Sequence, residues 1–234
     1  MKPVAILAGG LATRLHPITR TIPKALVEVA GEPFAHHQLR LLARHGVREV
    51  IYLIGYLGEQ IEEALGDGRQ FGLAIRYLSD GPHLLGTGGA IARARPLLGP
   101  SFGVLYGDSY LDCDYRAIFR QFDEAHQPAL MTVFANHDQW DSSNVQFGDG
   151  RILAYSKTER TQAMRHIDYG FGVFSADVFA DVSPDQPTDL APLYSQLAQE
   201  KKLAAYEAQQ RFYEIGSPSG IAELETHLNN TRAA

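Results

Sequence analysis

A single cysteine, Cys113, stands in the chain, so no internal disulfide can form and no zinc site can be built from several thiolates. Long apolar runs are missing too. None approaches the roughly 18 residues that a bilayer-spanning helix needs. The run Val4-Ala5-Ile6-Leu7-Ala8 is too short for a signal-peptide core and leads straight into glycines. A soluble, cytoplasmic protein is therefore expected. Positive charge is the minority sign: 21 Lys and Arg face 27 Asp and Glu, a formal net charge of −6. That balance argues against a nucleic acid or an anionic membrane as partner of the whole surface, yet local basic groups remain able to hold a phosphate-rich small ligand. Repeats, low-complexity tracts and linkers are also lacking. What the chain has is apolar mass: 45 % of its 234 residues are hydrophobic, enough for a substantial core. One domain over residues 1–234 is expected.

The first half alternates short apolar runs with segments of helical period, the pattern of a parallel sheet flanked by helices. Residues 4–8 read as a buried strand ending at Gly9-Gly10. Residues 33–45 read as a helix, with Phe34, Leu41 and Leu42 on one face and Gly46 placed to stop it. A strand over 50–54 follows, then Leu57, Ile61, Ala64 and Leu65 at helical spacing up to Gly66. Strands are expected over 73–78 and 102–106, the second running into Gly107-Asp108. The later chain is less regular. A strand is read over 129–134, a hairpin pairing 144–147 with 152–155 across Gly148-Asp149-Gly150, and a strand over 167–174. A helix spans 189–199 with Asp189 as its cap, and Ser217-Pro218 opens a last helix with serine at the N-cap.

Leu7-Ala8-Gly9-Gly10-Leu11-Ala12-Thr13-Arg14-Leu15 lies where the first strand gives way to a loop. Glycines there let backbone N–H groups approach phosphate oxygens, and Arg14 is able to grip two oxygens at once. Pro23-Lys24 adds a second cation. The spacing matches neither the G-x-x-x-x-G-K-[ST] nor the G-x-G-x-x-G phosphate loops. An ordinary strand-to-helix turn with solvated cations is the alternative for a bare glycine pair.

That run, followed by Pro17, Thr19, Pro23 and Lys24 and then by Val29-Ala30-Gly31-Glu32-Pro33, resembles the signature of sugar-phosphate nucleotidyltransferases. The resemblance extends from Leu7 to Pro218. It implies an α/β, single-domain Rossmann-like nucleotidyltransferase fold with a mixed, mostly parallel central sheet flanked by helices. It also implies a nucleoside triphosphate and a sugar 1-phosphate as substrates, Mg²⁺ as cofactor and a homodimer. In such enzymes the glycine loop, here Leu7, Ala8, Gly9, Gly10 and Thr13, wraps the triphosphate. Arg14 inherits the stabilisation of departing pyrophosphate and Lys24 a phosphate contact. The family has glycine where this chain has Ala12, so an altered loop is expected there.

Gly86-Thr87-Gly88-Gly89-Ala90 opens a helix and is similar to the family segment bordering base and sugar. Asp80 precedes it. A carboxylate there is suited to accept from the N1–H and N2–H₂ groups of guanine, which makes GTP the favoured donor; an exposed loop aspartate is the alternative reading. Gly107-Asp108 ends a buried strand, the edge at which ligands gather in open α/β sheets. The resemblance makes Asp108 a Mg²⁺ ligand and catalytic residue. The late family acid is usually an aspartate before Ile-Gly; here Glu214 precedes Ile215-Gly216, and glutamate still ligates magnesium. Asp112 and Asp114 read as a solvated loop, and His36-His37 match no metal pair.

Asn144, Lys157, Asp168 and Gly170 fall in the order the family uses around its sugar: Asn144 and Asp168 for hydroxyls, Lys157 for the phosphate. Arg165 and His166 read as a solvent-exposed pair. Leu84 to Ala90 and the chain length are most similar to heptose 1-phosphate guanylyltransferases, with N-acetylmuramate 1-phosphate uridylyltransferases and other hexose 1-phosphate enzymes as rivals. The length leaves no room for the C-terminal β-helix of bifunctional relatives. Two other classes stay open: a non-catalytic regulatory homologue, suggested by Ala12 and Glu214, and a glycosyltransferase, disfavoured because its donor lacks the triphosphate tail that Arg14 and Lys24 suit.

Overall fold

A computed structural model describes residues 1–11, 13–15 and 17–233, and the side chains of all these except Thr13, Arg232 and Ala233. The apolar run at the start forms β1 (Val4–Ala8), whose first three residues are fully buried. A short ribbon, β2 (Glu28–Val29) with β3 (Glu32–Pro33), leads into α1 (Phe34–Arg44). Then come β4 (Glu49–Ile54), α2 (Gly58–Leu65), β5 (Ala74–Ser79), α3 (Gly86–Leu98) and β6 (Ser101–Tyr106). The later chain adds β7 (Ser109–Tyr110), α4 (Tyr115–Ala125), β8 (Ala129–Ala135), β9 (Val145–Gly148), β10 (Arg151–Tyr155) and β11 (His166–Ser175). It ends with α5 (Leu190–Gln199), β12 (Leu203–Ala208), β13 (Tyr213–Glu214) and α6 (Pro218–Ala233).

Nine strands make one mixed sheet in the order β5-β4-β1-β6-β11-β8-β12-β10-β9. Strands β5, β4, β1 and β6 are mutually parallel, β12 is parallel to β8, and β10 and β11 run against the rest. Because side chains alternate across a strand, each central strand feeds two layers. Val4, Ile6, Val50 and Tyr52 face α1, α2 and α4, while Ala5, Ile51, Phe102 and Val104 face α3 and α5. Such two-sided burial is why the first strands are continuously apolar rather than alternating. A smaller cluster of Val29, Phe34, Leu41, Tyr110, Ile215, Leu224 and Leu228 seats α6 against α1. No described helix is long and apolar enough to cross a membrane.

Besides the two-residue strands β2, β3, β7 and β13, two longer elements are not in the sequence expectation. Residues 115–125 form α4, with Tyr115, Ile118, Phe119 and Phe122 buried at helical spacing. Asp114, expected in a solvated loop, is its N-cap: Oδ1 accepts the Ala117 N–H at 3.0 Å. Asp112 is likewise engaged, 3.3 Å from His45 Nε2 and 3.6 Å from Arg44 Nη2. The second element is β12, whose Leu-Ala-Ala-Tyr-Glu-Ala sequence is rich in helix formers. Six paired positions along β8 override that local preference. The 9–10 hairpin was legible, and Asp149 and Gly150 both take positive φ in the two-residue turn that joins its strands.

Replacing Asp114 by Ala should cost about 1 kcal/mol of stability by leaving the Ala117 N–H without its acceptor, whereas Asn should preserve most of it. Urea unfolding of the two variants against the parent checks this; equal midpoints for all three would remove the capping role.

Candidate active site

The strand order reverses at β1: β4 and β5 lie on one side of it and β6 on the other. A crevice therefore opens beyond the carboxyl ends of β1 and β6, the place where open α/β sheets bind ligands. Gly107 extends the pairing past β6, its N–H donating to Leu7 O at 2.9 Å. A Cβ at Gly107 would stand 2.5 Å from that oxygen, so only glycine lets the two strand ends remain this close. Asp108 consequently leaves the sheet at the mouth of the crevice. Two cavities meet there, sharing Tyr106 and Asp108 in their walls.

The first cavity, ≈ 240 Å³, is walled by Leu7, Ala8, Gly9 and Gly10 after β1 and by Lys24, Asp80, Gly86 and Thr87. Leu53, Leu84 and Ala90 give it an apolar side. Asp80 is buried rather than exposed, 6 % accessible. Its Oδ2 accepts the Leu85 N–H at 3.1 Å, and burial raises its pKa despite that bond and the nearby Arg93. Gly88 is not brought to this cavity. Its N–H donates to Thr188 O at 2.8 Å, and a Cβ there would press on the Thr188 and Asp189 carbonyls. Thr87 ties the same two segments together, its Oγ1 donating to Asp189 Oδ1 (3.1 Å) and accepting from Leu190 N–H (2.7 Å).

At the junction Lys24 Nζ donates to Asp108 Oδ2 at 2.8 Å, with both side chains largely withdrawn from solvent. Ser109 Oγ is 3.5 Å from Oδ1. The paired β7 and β13 bring Glu214 opposite Ser109, and Ile215 N–H donates to Asp108 O at 3.0 Å. The Glu214 carboxylate is turned onto the start of α6: Oε2 accepts the Gly216 N–H and Oε1 accepts from Ser217 Oγ at 3.1 Å. Ser217 Oγ in turn accepts the Gly220 N–H at 3.0 Å, the N-cap expected from Ser217-Pro218. Among the described residues no group of three or more His, Cys, Asp or Glu side chains gathers as a metal cluster. Asp108 and Glu214 nevertheless line the same cavity, and two hard carboxylates completed by phosphate and water oxygens suit Mg²⁺.

The second cavity, ≈ 440 Å³, is lined by Arg14, Asn144, Lys157, Asp168 and Gly170 together with Asp108 and Glu214. Arg14 packs beside Gly216, where a Cβ would stand 2.9 Å from Nη2. Asn144 is locked by three bonds: its Oδ1 accepts Asp168 N–H at 2.9 Å, its N–H donates to His166 O, and its carbonyl accepts from Ser156. The register of β11 against β8 shifts between Asp168 and Gly172. This bulge places Gly170 at φ +96° and swings Asp168 to the cavity wall. Asp168 Oδ1 accepts the Gly170 N–H at 3.0 Å, while burial lifts its carboxyl to about 6 against the pull of that bond and of Lys157. Lys157 Nζ lies 5.7 Å above the Tyr106 ring and 3.8 Å from Asp189 Oδ1. Ala12, and the altered loop expected of it, lie outside the described residues, as does the side chain of Thr13.

The family pattern described as Nucleotidyl transferase matches residues 3–230. The chain belongs to that family. N-acetylmuramate alpha-1-phosphate uridylyltransferase of Neisseria meningitidis serogroup B is 43 % identical over 116 residues, which cover 49 % of this chain and 50 % of that protein. Mannose-1-phosphate guanylyltransferase catalytic subunit beta of Danio rerio is 30 % identical over 220 residues, covering 91 % of this chain and 61 % of that protein. The matched stretches thus span about half to three fifths of the length of these curated relatives. Among solved structures, HddC from Yersinia pseudotuberculosis superposes with a TM-score of 0.81 at 24 % identity, covering 97 % of this chain and 100 % of that one. It has also been solved complexed with GMP-PN. These structural matches establish the nucleotidyltransferase fold.

Within this nucleotidyltransferase fold, sequence reasoning missed three residues of the second cavity that matter chemically: Tyr106, Arg160 and Phe212. Tyr106 carried a signal, since it sits two residues before Asp108 at the end of a buried strand and therefore on the same face. Its hydroxyl is buried with no hydrogen-bond partner among the described residues. Arg160 sits in a loop with no periodicity to mark it. His166, read as solvent-exposed, instead bonds Glu207 Oε1 at 3.0 Å.

Asp168 supplies a pH test. Its carboxyl rises from an ordinary 3.8 to about 6 on folding, so the folded protein holds this proton more tightly. The stability carried by the protonated form is present below pH 4 and is lost as pH rises through 6. Asp168→Asn, neutral throughout, should therefore gain on the parent between pH 4 and pH 6 and level off above, by on the order of 1–2 kcal/mol. Unfolding at pH 4.5 and 7.5 measures it; a gain independent of pH would mean the carboxyl titrates normally.

Proposed function

We propose that this chain is a sugar-1-phosphate nucleotidyltransferase that joins a nucleoside triphosphate to a sugar 1-phosphate and releases pyrophosphate. The observation that carries this reading is the meeting of two cavities at the Lys24–Asp108 pair, one walled by the glycine loop and the other by Arg14, Asn144, Lys157 and Asp168. Two phosphorylated substrates would each fill one cavity and touch at the shared wall. Names of relatives support the class: they include uridylyl-, guanylyl- and thymidylyltransferases acting on sugar 1-phosphates.

In the proposed reaction a phosphate oxygen of the sugar 1-phosphate attacks the α-phosphorus of the nucleotide in line. A new P–O bond forms as the bond to the bridging oxygen breaks, and pyrophosphate leaves with that electron pair. The attacking monoester is largely ionised near neutral pH, so no general base is needed. The chain's task is to position two anions and neutralise their charge. Backbone N–H groups of Gly9 and Gly10 would face the triphosphate and Lys157 the sugar phosphate, while Arg14, which lines the second cavity with Asp108 and Glu214, would meet the departing pyrophosphate across the shared wall. An incoming triphosphate competes for Lys24 and leaves Asp108 without its counterion. That is the electrostatic case for a divalent cation accompanying the nucleotide. Asp108 and Glu214 would hold Mg²⁺, which when bound supplies charge neutralisation across the phosphate oxygens.

GTP is the donor we favour. Asp80 lines the first cavity with Oδ2 already held by Leu85, and its other oxygen meets no described donor. An ionised carboxylate there matches the adjacent N1–H and N2–H₂ donors of guanine, whereas uracil and thymine offer one N–H.

Pyrophosphate release is the test, with Mg²⁺ and GTP, UTP, CTP, ATP and dTTP crossed with hexose and heptose 1-phosphates. Release should require both substrates, be fastest with GTP, and fall at least about 100-fold in Asp108→Ala and at least tenfold in Lys24→Met. Glu214→Gln retains an acceptor for the α6 cap, so a raised Mg²⁺ requirement without loss of stability would mark a metal ligand rather than a cap alone. Tight nucleotide binding with no release from any pair would instead make the chain a non-catalytic homologue.

A further inference from the structure

The loop between β10 and β11 contributes two cations to the second cavity, Lys157 and Arg160. Ser156 Oγ accepts the N–H groups of Thr158 and Glu159 at 3.3 and 2.8 Å, which tightens the turn between them. Met164, buried beyond the turn, anchors the return of the chain, its N–H donating to Thr161 O at 3.0 Å. The two cations differ in their commitments. Lys157 faces Asp189 and the Tyr106 ring at the junction. Arg160 makes no ion pair, hydrogen bond or ring contact among the described residues.

The acids around it have partners elsewhere. Asp108 pairs with Lys24, Glu214 with the start of α6, Asp168 with the Gly170 N–H, and Asp141 Oδ1 with the Ser142 N–H at 2.6 Å. Arg160 is therefore an exposed positive charge on the rim of a ligand cavity, without an ion-pair partner among the described residues. Of the two cations, Lys157 is the one held at the junction, between the Tyr106 ring and Asp189. A sugar 1-phosphate must bring its phosphorus to the junction at Tyr106 and Asp108, where Lys157, above the Tyr106 ring, is the cation assigned to it. Arg160 lines only the second cavity, the one that the sugar itself would fill.

We propose that Arg160 is a specificity-determining residue that binds a second anionic group, carboxylate or phosphate, carried by the sugar of the substrate. The inference rests on the nucleotidyltransferase reading above and narrows its substrate class. A planar guanidinium presents paired N–H donors that match either oxyanion in bidentate fashion, and it stays charged at any physiological pH. A neutral hexose would leave that fork to water.

The test compares sugar 1-phosphates in matched pairs that differ by one anion: glucose with glucuronate, glucose with its 1,6-bisphosphate, and N-acetylglucosamine with N-acetylmuramate. For each, kcat/KM of pyrophosphate release is measured in the parent, Arg160→Gln and Arg160→Lys. In at least one pair the parent should prefer the anionic member about tenfold or more. Arg160→Gln should abolish that preference by slowing the anionic member far more than the neutral one, and Arg160→Lys should restore part of it. The carboxylate and bisphosphate arms separate the two oxyanion types. A parent that prefers the neutral member throughout overturns the proposal. So does an Arg160→Gln variant that slows both members equally, since Arg160 would then act on the shared 1-phosphate. Failure of every nucleotide and sugar pair is a different result, which removes the nucleotidyltransferase reading itself.

Discussion

The Lys24–Asp108 ion pair is the constraint around which the crevice is organised. Asp108 reaches the junction because Gly107 lets β6 stay bonded to the end of β1, and Lys24 reaches it from the short turn after Pro23. Two partly buried opposite charges at 2.8 Å attract more strongly than they would in bulk water, yet each has also given up hydration. Removing either partner leaves the other uncompensated. The pair is thus a neutral, self-satisfied arrangement in the absence of ligand, and it is poised to exchange partners when a more highly charged anion arrives. The rest of the two cavities lies to either side of it: the glycine loop after β1 on one flank, Asn144, Lys157 and Asp168 on the other.

Rigidity of that junction comes from the layers behind it. Val4, Ile6, Val50 and Tyr52 are fully buried against one helical layer, and Ala5, Ile51 and Phe102 against the other. Each fully buried large apolar side chain contributes about 1.5–3 kcal/mol by transfer from water. Strand ends cannot shift without disturbing both layers. The second cavity is held differently. Its wall is a bulged strand, a hairpin and two loops, fixed by polar bonds such as Asn144 to Asp168 and Gly170 to Asp168. A hydrophobic sheet fixes the junction, while a hydrogen-bonded rim fixes the second cavity.

That division explains how much was legible in the sequence. Strands buried on both faces announce themselves as apolar runs ending in glycine, so β1, β4 and β6 and the position of Asp108 could be read directly. The glycine loop and Lys24 were assigned by the family resemblance, since the residues alone also fit an ordinary turn with solvated cations. The rim was harder. Asn144, Lys157 and Asp168 were found by resemblance alone, because nothing in their spacing says that a β-bulge brings them together. Arg160 was missed for the same reason. β12 was missed because its alanines and leucine carry no strand preference until β8 is beside them, and α4 because attention to Asp112 and Asp114 as loop acids hid the capping role of Asp114.

The segment 86–89 has a packing role beside the one its resemblance implies. Read from sequence, it is similar to the family segment that borders base and sugar. Here Gly88 and Gly89 both donate to Thr188 O, and Cβ atoms at Gly86, Gly88 or Gly89 would press on the backbone of residues 186–189. Part of what these glycines provide is close packing of α3 against the segment leading into α5, which Thr87 and Asp189 then fasten. Asp189 also faces Lys157 from that same joint. Helix α3 and Lys157 are therefore connected through one carboxylate. A substitution at Gly88 would be felt first as a shift of α5 and Asp189, and only through them in the second cavity.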